Sequence, residues 1–257
     1  MDGTRSFNIV LLSGVALFLA ANQPHTFEGA DAHVLLTKMA DFDYSTQDLL
    51  RSSRTILRPI VLKDAEDVFQ FRGDYEVVKY NSGVVFESLD QAKELILSML
   101  EDYDQKKSVR WGITVPSASS SSSSTQESDT TPTALIPLSL PIRGMVGFNY
   151  WHRGDHRASV GLELHRDYWG QGLMTEALTE VIQFGFDKMQ LNRIEADVSV
   201  YHEKSLALLK RLFFVIEGVE REQYYENGTY HDLVKLSLLK KDWEQEAHNN
   251  NQSAVEK

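Results

Sequence analysis

The chain of 257 residues contains no cysteine. That excludes a disulfide scaffold, a cysteine nucleophile and a cysteine-based zinc site. Basic charge is also scarce: 26 lysines and arginines stand against 37 acidic residues, for a net charge of −11. No lysine- or arginine-rich run offsets this balance, so no nucleic-acid partner is expected. Neither glycine-based nucleotide fingerprint is complete. The P-loop pattern G-x-x-x-x-G-K-[ST] is absent. In the stretch Gly170 to Thr175 a threonine stands where the third glycine of G-x-G-x-x-G would be. His152, His156 and His165 have no acidic partner at useful spacing, so no metal is expected. There is no internal repeat.

What is present is an ordinary globular balance, 42% apolar and 25% charged, with length for one sizeable domain or two small ones. One apolar run stands apart. Phe7 to Ala21 follows Arg5 and ends in small residues, in the manner of a signal-peptide core. It is short of the roughly 20 residues that a membrane helix needs. A cytoplasmic protein is the expectation. A secretory or membrane-anchored one, directed by residues 7–21, is the alternative, and Met39 offers a second start. Residues 1–51 read as an N-terminal extension.

From residue 52 the pattern becomes regular. Thr55 to Ile60 reads as a strand, with Pro59 putting it near an edge or end. Asp64 is placed to cap a helix carrying Ala65, Val68, Phe69 and Arg72. A second helix opens with Ser88 and Gln91, a capping-box pair. Its apolar positions Ala92, Leu95, Ile96, Met99, Leu100 and Tyr103 keep helical spacing. Arg110 to Val115 and Arg143 to Trp151 read as strands. The serine-rich stretch 116–133 between them cannot bury enough apolar surface to order itself, and reads as a disordered insertion. A strand with Val160, Leu162 and Leu164 on one face follows, then a helix from about Thr175 to Met189. A strand at Arg193 to Val200 and a helix carrying Leu206, Leu209 and Phe213 come next. The last two strands flank Asn227-Gly228, a hairpin signal. Residues 244–257 read as a polar, disordered tail. The strand–helix–strand run over 158–200 argues for a parallel, right-handed crossover inside a mixed sheet.

The chemistry centres on Asp167-Tyr168-Trp169-Gly170-Gln171-Gly172. A strand that feeds a helix through glycines can lay an anion on the first N–H groups of that helix. Those donors lack intrahelical partners and stand at the positive end of the helix dipole. A plain strand-to-helix turn is the other reading of the two glycines.

The wider stretch from Gly161 to Leu178, GLELHRDYWGQGLMTEAL, resembles motif A of the GNAT acyl-CoA N-acyltransferases, in particular the RimJ/RimL-like branch. So do the Ser205-led helix with its Glu217-Gly218 step and hairpin, and the upstream run from Thr55 to Gly83. The resemblance spans about residues 52–243 apart from the serine insertion. It implies an α/β (α+β) fold: a mixed, mostly antiparallel sheet of six to seven strands, helices on both faces, and a central parallel pair splayed for CoA. It implies acetyl-CoA as cosubstrate, its pyrophosphate on the backbone N–H groups of Gly170, Gln171, Gly172, Leu173 and Met174. Pantetheine would run beside the main chain of Leu162 and Leu164, with His202 as a further contact. An oxyanion donor falls at about the Leu162 N–H. Glu163 is implied as general base and Ser205 as the group that meets the leaving thiolate.

The chain departs from that pattern in four places. Asp167 replaces a Gln or Arg, with Arg166 next door as a compensating charge. His202 replaces an Asn, Phe213 a Gly, and Ser159 a glutamate often suggested as a base. The expected activity is acetyl transfer to a primary amine, on a protein N-terminus or a small molecule, by a monomer or homodimer. A catalytically silent CoA-binding or interaction module is the competing reading.

Overall fold

The structure, a computed structural model, describes residues 47–81, 83–116, 140–226 and 228–255. The apolar segment 7–21, Met39, the serine-rich insertion beyond Pro116 and Asn227 lie outside the described residues.

Among the described residues eight strands form one sheet: β1 (Leu50–Arg51), β2 (Ile56–Pro59), β3 (Val109–Thr114), β4 (Gly144–His152), β5 (Arg157–Leu164), β6 (Arg193–Ser199), β7 (Val215–Glu226) and β8 (Thr229–Leu239). Their order is β1-β2-β3-β4-β5-β6-β8-β7. Every neighbouring pair is antiparallel except β5 and β6. The sheet therefore has one strand more than six to seven. The addition is β1, whose two residues show no periodicity and lie before residue 52, so the folded unit begins earlier than expected. Pro59 ends β2 beyond the last β1 partner, Leu57, where no ladder N–H is needed.

The described residues form six α-helices: α1 (Ala65–Arg72), α2 (Tyr75–Val78), α3 (Leu89–Asp104), α4 (Leu173–Asp187), α5 (Glu203–Arg211) and α6 (Lys240–Val255). Adjacent residues of β3 show that they occupy both faces. Trp111 meets Phe184 of α4 edge-on, with ring centroids 5.1 Å apart. The next residue, Gly112, lies under Ile142, where a Cβ would stand 2.5 Å from the isoleucine Cγ2. Ile142 packs with Val68, Phe71, Ala92 and Ile96 of α1 and α3. Successive strand residues point to opposite faces, so α4 lies on one side and α1 with α3 on the other.

Two helical expectations change. Asp64 precedes α1 but makes no side-chain cap. Its carboxylate turns inward, accepting from Arg58 Nη1 at 2.8 Å and Nη2 at 2.7 Å and from the Val61 N–H at 2.9 Å. A buried guanidinium outcompetes a helix terminus for the same oxygens. Residues 244–255 continue α6 instead of forming a tail. The segment has no glycine or proline to stop a helix, and Trp243 anchors its start on Gln183 and Phe213. The capping box at α3 stands as read: the Gln91 side chain accepts from the Ser88 N–H at 3.0 Å.

Arg58 and Asp64 are 1% and 3% exposed. Two more guanidinium donors go to the carbonyls of Pro59 and Leu140. Removing only the acid leaves a buried charge unpaired. Asp64→Ala is therefore expected to lower unfolding free energy by about 3–5 kcal/mol, measured by chemical denaturation, with Arg58→Met/Asp64→Leu costing less than that single change.

Candidate active site

β5 and β6 share only three partners, from Arg157–Arg193 to Ser159–Glu195. Beyond these, β5 runs on to Leu164 along β4, and β6 runs on to Ser199 along β8. The two strands thus diverge in mid-sheet. The β4 ladder slips between Phe148 and Tyr150, level with Ser159, at the same height as the divergence. The extra residue is Asn149, whose amide lies over Gly161; a Cβ there would stand 2.2 Å from Asn149 Nδ2. A bulge bends its strand and strengthens local twist.

The open edge of β5 carries backbone donors. The His165 N–H donates to the Arg143 carbonyl, on the β4 side. Alternation along a strand then turns the N–H groups of Leu162 and Leu164 to the other edge, toward β6, where no ladder partner exists past Ser159. The Leu164 carbonyl is met by the Trp169 indole N–H at 2.7 Å.

Gly170 and Gly172 have φ of +72° and +78°. The turn needs glycine for its left-handed backbone, since a Cβ on Gly170 would meet nothing within 4 Å. Gly172 caps α4. Among the described residues no acceptor takes the N–H groups of Gly170 to Thr175, and the first cap bond is from Glu176 to Gly172 at 3.2 Å. The arrangement is a row of free donors at the positive end of a fifteen-residue helix.

The departures from the expected motif have structural answers. Arg166 does not serve Asp167. Its Nε pairs with Asp74 at 3.3 Å, because the Asp74 carboxylate stands at the start of α2, where it also accepts from the Glu76 N–H. Asp167 stays in solvent, 80% exposed. Phe213 adopts φ +67°. It closes α5 with the Schellman pair Phe214 N–H to Leu209 carbonyl at 3.0 Å and Phe213 N–H to Lys210 carbonyl at 3.1 Å. The geometry that glycine would give freely is kept, with the phenyl ring packed edge-on against Trp243.

Glu163 and His202 are brought to one region through adjacent residues. The Glu163 carboxylate accepts from Arg72 Nε at 2.8 Å, from Arg72 Nη2, and from Asn81 Nδ2 at 3.3 Å. The neighbouring Tyr80 stacks on His202 at 4.6 Å between ring centroids. Ser205 is buried in the first turn of α5. In the same turn the Lys204 ammonium lies 4.5 Å from the Trp169 ring centroid. The start of α5 is thereby tied to α2's exit on one side and to the glycine turn on the other. No local pattern announces Arg72, Asn81 and Tyr80, whose partners Glu163 and His202 are far away in sequence.

A family model described as an acetyltransferase (GNAT) domain matches residues 54–215. This chain belongs to the GNAT acetyltransferases. The GNAT relatives include YoaA of Bacillus subtilis, an uncharacterized N-acetyltransferase. It is 31% identical over 192 residues, covering 75% of this chain and 97% of that protein. The ribosomal protein uS5-alanine N-acetyltransferase of Escherichia coli is 32% identical over 103 residues, 40% of this chain and 53% of that one. Among solved structures, the RimL ribosomal L7/L12 α-N-protein acetyltransferase in complex with coenzyme A has the same fold. Its TM-score is 0.61 at 15% identity, over 76% of this chain and 99% of that one. The branch fits the RimJ/RimL-like group, and the protein is an acetyl-CoA-dependent N-acetyltransferase, with acetyl-CoA as cosubstrate. Among the described residues no helix is long and apolar enough to cross a membrane.

His202 is neutral at physiological pH. Burial, then the charges of Lys204 and Lys79, push its imidazole down to about 4 from 6.5. The folded value lies below the unfolded one, so the unfolded chain takes up the proton first. Stability from this group is whole above pH 6.5 and falls as the pH drops toward 4. The His202 ring is expected to titrate near 4 by NMR, and His202→Gln to lose less stability than the parent over that interval; a ring titrating near 6.5 contradicts this.

Proposed function

We propose that the protein transfers the acetyl group of acetyl-CoA to a primary amine by direct attack in a ternary complex. The observation that carries this reading is the open edge of β5 beside the free donors of the glycine turn. Together they make a continuous track from the N–H groups of Gly170, Gln171, Gly172, Leu173 and Met174 to the gap between β5 and β6. The diphosphate lies on the former. Pantetheine lies along Leu162 and Leu164, strand-like, with the neutral His202 as a polar contact at its side.

The neutral amine forms the new C–N bond and the C–S bond breaks. The oxygen that gains charge in between is met by the Leu162 N–H, a fixed donor of a kind commonly worth a few kcal/mol. Glu163 takes the proton of the amine. A carboxylate has about four lone-pair sites, and three are occupied by Arg72 and Asn81, which leaves one to take the proton. Ser205, beside the start of α5, meets the departing thiolate. A cytoplasmic location belongs to the same reading.

The name of the Escherichia coli relative supports a peptide α-amine as the first acceptor to try. The test is release of free thiol from acetyl-CoA over a panel of N-terminal peptides, polyamines and amino sugars. Turnover on at least one amine is expected, with Glu163→Gln lowering kcat at least tenfold while leaving the Kd of CoA within twofold. CoA binding with no thiol release on any amine would falsify the transferase role and support the silent module.

A further inference from the structure

The glycine turn stands between two acids. Asp167 precedes it, in solvent, and Glu176 lies in the first turn of α4. A diphosphate brought there adds negative charge to negative charge, so a cation is needed beside the backbone donors. Arg166 is engaged by Asp74. Lys204 lies over the flat face of Trp169. Arg54 stands over the turn itself: a Cβ on Gly172 would be 3.3 Å from its Nη2.

Arg54 is held in that place. Its Nε donates to Glu176 Oε1 at 2.6 Å, and its Nη2 meets the same oxygen. Oε2 accepts from the Arg54 N–H at 3.1 Å and from the hydroxyls of Ser52 and Ser53, each at 2.9 Å. The carboxylate is thus saturated by residues 52–54, while the guanidinium is not. It is 51% exposed. Nη1 has no acceptor among the described residues, and Nη2 keeps one N–H to spare. A guanidinium offers its donors as a planar fork that fits phosphate oxygens.

We propose that Arg54 is a coenzyme-binding residue. Its guanidinium donates to an oxygen of the acetyl-CoA diphosphate that also rests on the Gly172 N–H, and Glu176 is the residue that positions it. This rests on the reading that the diphosphate occupies the turn. The cation that the turn lacks is supplied from the segment between β1 and β2, more than a hundred residues away in sequence.

Isothermal titration of the full chain with CoA, dephospho-CoA and pantetheine tests this in the parent, Arg54→Ala, Glu176→Gln and Arg54→Ala/Glu176→Gln. Arg54→Ala is expected to weaken CoA and dephospho-CoA about tenfold or more, on the scale of a charged hydrogen bond, and to leave pantetheine unchanged. The double variant is expected to stay weak. Recovery of parental affinity in the double variant would mean that Arg54 only neutralises Glu176, and overturns the proposal. So does a loss confined to CoA, which would assign Arg54 to the 3′-phosphate. Should Arg54→Ala fail to fold, Arg54→Gln, which keeps a hydrogen-bonding side chain, is read the same way. A parent that binds CoA no better than pantetheine defeats the diphosphate reading itself. A parent that binds CoA well and an Arg54→Ala protein that binds it equally defeat only the role of Arg54.

Discussion

The structure depends on one break in pairing. A parallel strand pair in the middle of a sheet normally satisfies its backbone groups along its whole length. Here β5 and β6 part after Ser159 and Glu195, and each keeps only its outer neighbour. Unpaired backbone donors inside a protein are costly unless something meets them. The Trp169 indole meets the Leu164 carbonyl. The N–H edge of Leu162 and Leu164 is left for a ligand that can pair like a strand. The bulge at Asn149, the missing side chain of Gly161 and the tethering of α5 by His202 and Lys204 all hold that gap in one shape.

The glycine turn is the second half of the same device. Its left-handed backbone leads into the head of α4, where the N–H groups of residues 170–175 have no acceptor among the described residues, and the core under that helix keeps it rigid, with Ala177, Leu178, Val181 and Ile182 fully buried. A long, packed helix does not bend to meet an anion, so its donors are aimed before anything binds. Electrostatics then decides how well the site works. Burial opposes ionisation of Glu176, yet hydrogen bonds from Arg54, Ser52 and Ser53 outweigh it and hold the carboxyl below its usual range. The acid beside the turn is therefore ionised and matched by a neighbouring guanidinium.

Much of this was legible in the sequence, and the boundary is physical. The turn, its helix, the alternating strand before it and the last two strands are local patterns, and each fell within about two residues of its place. The parallel pairing of β5 and β6 followed from the strand–helix–strand order. What was not legible depends on distant partners. Glu163 reads as a lone strand acid, yet Arg72, the last residue of α1, and Asn81, beyond the end of α2, come to it from far away in sequence. Arg166 looked like the neighbour of Asp167 and turned to Asp74. Phe213 looked like a defect where glycine was expected, but the left-handed cap survives with an aromatic ring packed on Trp243. That tryptophan lies near the start of α6, just before residues 244–257, the segment read as a tail. Composition made it look loose, and a single anchoring side chain is invisible to composition.

The central claim is that main-chain donors at the head of α4 receive the coenzyme diphosphate. Backbone amide resonances of the isotope-labelled protein, followed during titration with CoA, test it most directly. The amides of Gly170, Gln171, Gly172, Leu173 and Met174 should move downfield and exchange more slowly with water, while pantetheine alone leaves them in place. If CoA saturates the protein and those five amides neither shift nor gain protection, the diphosphate lies elsewhere and the account is wrong.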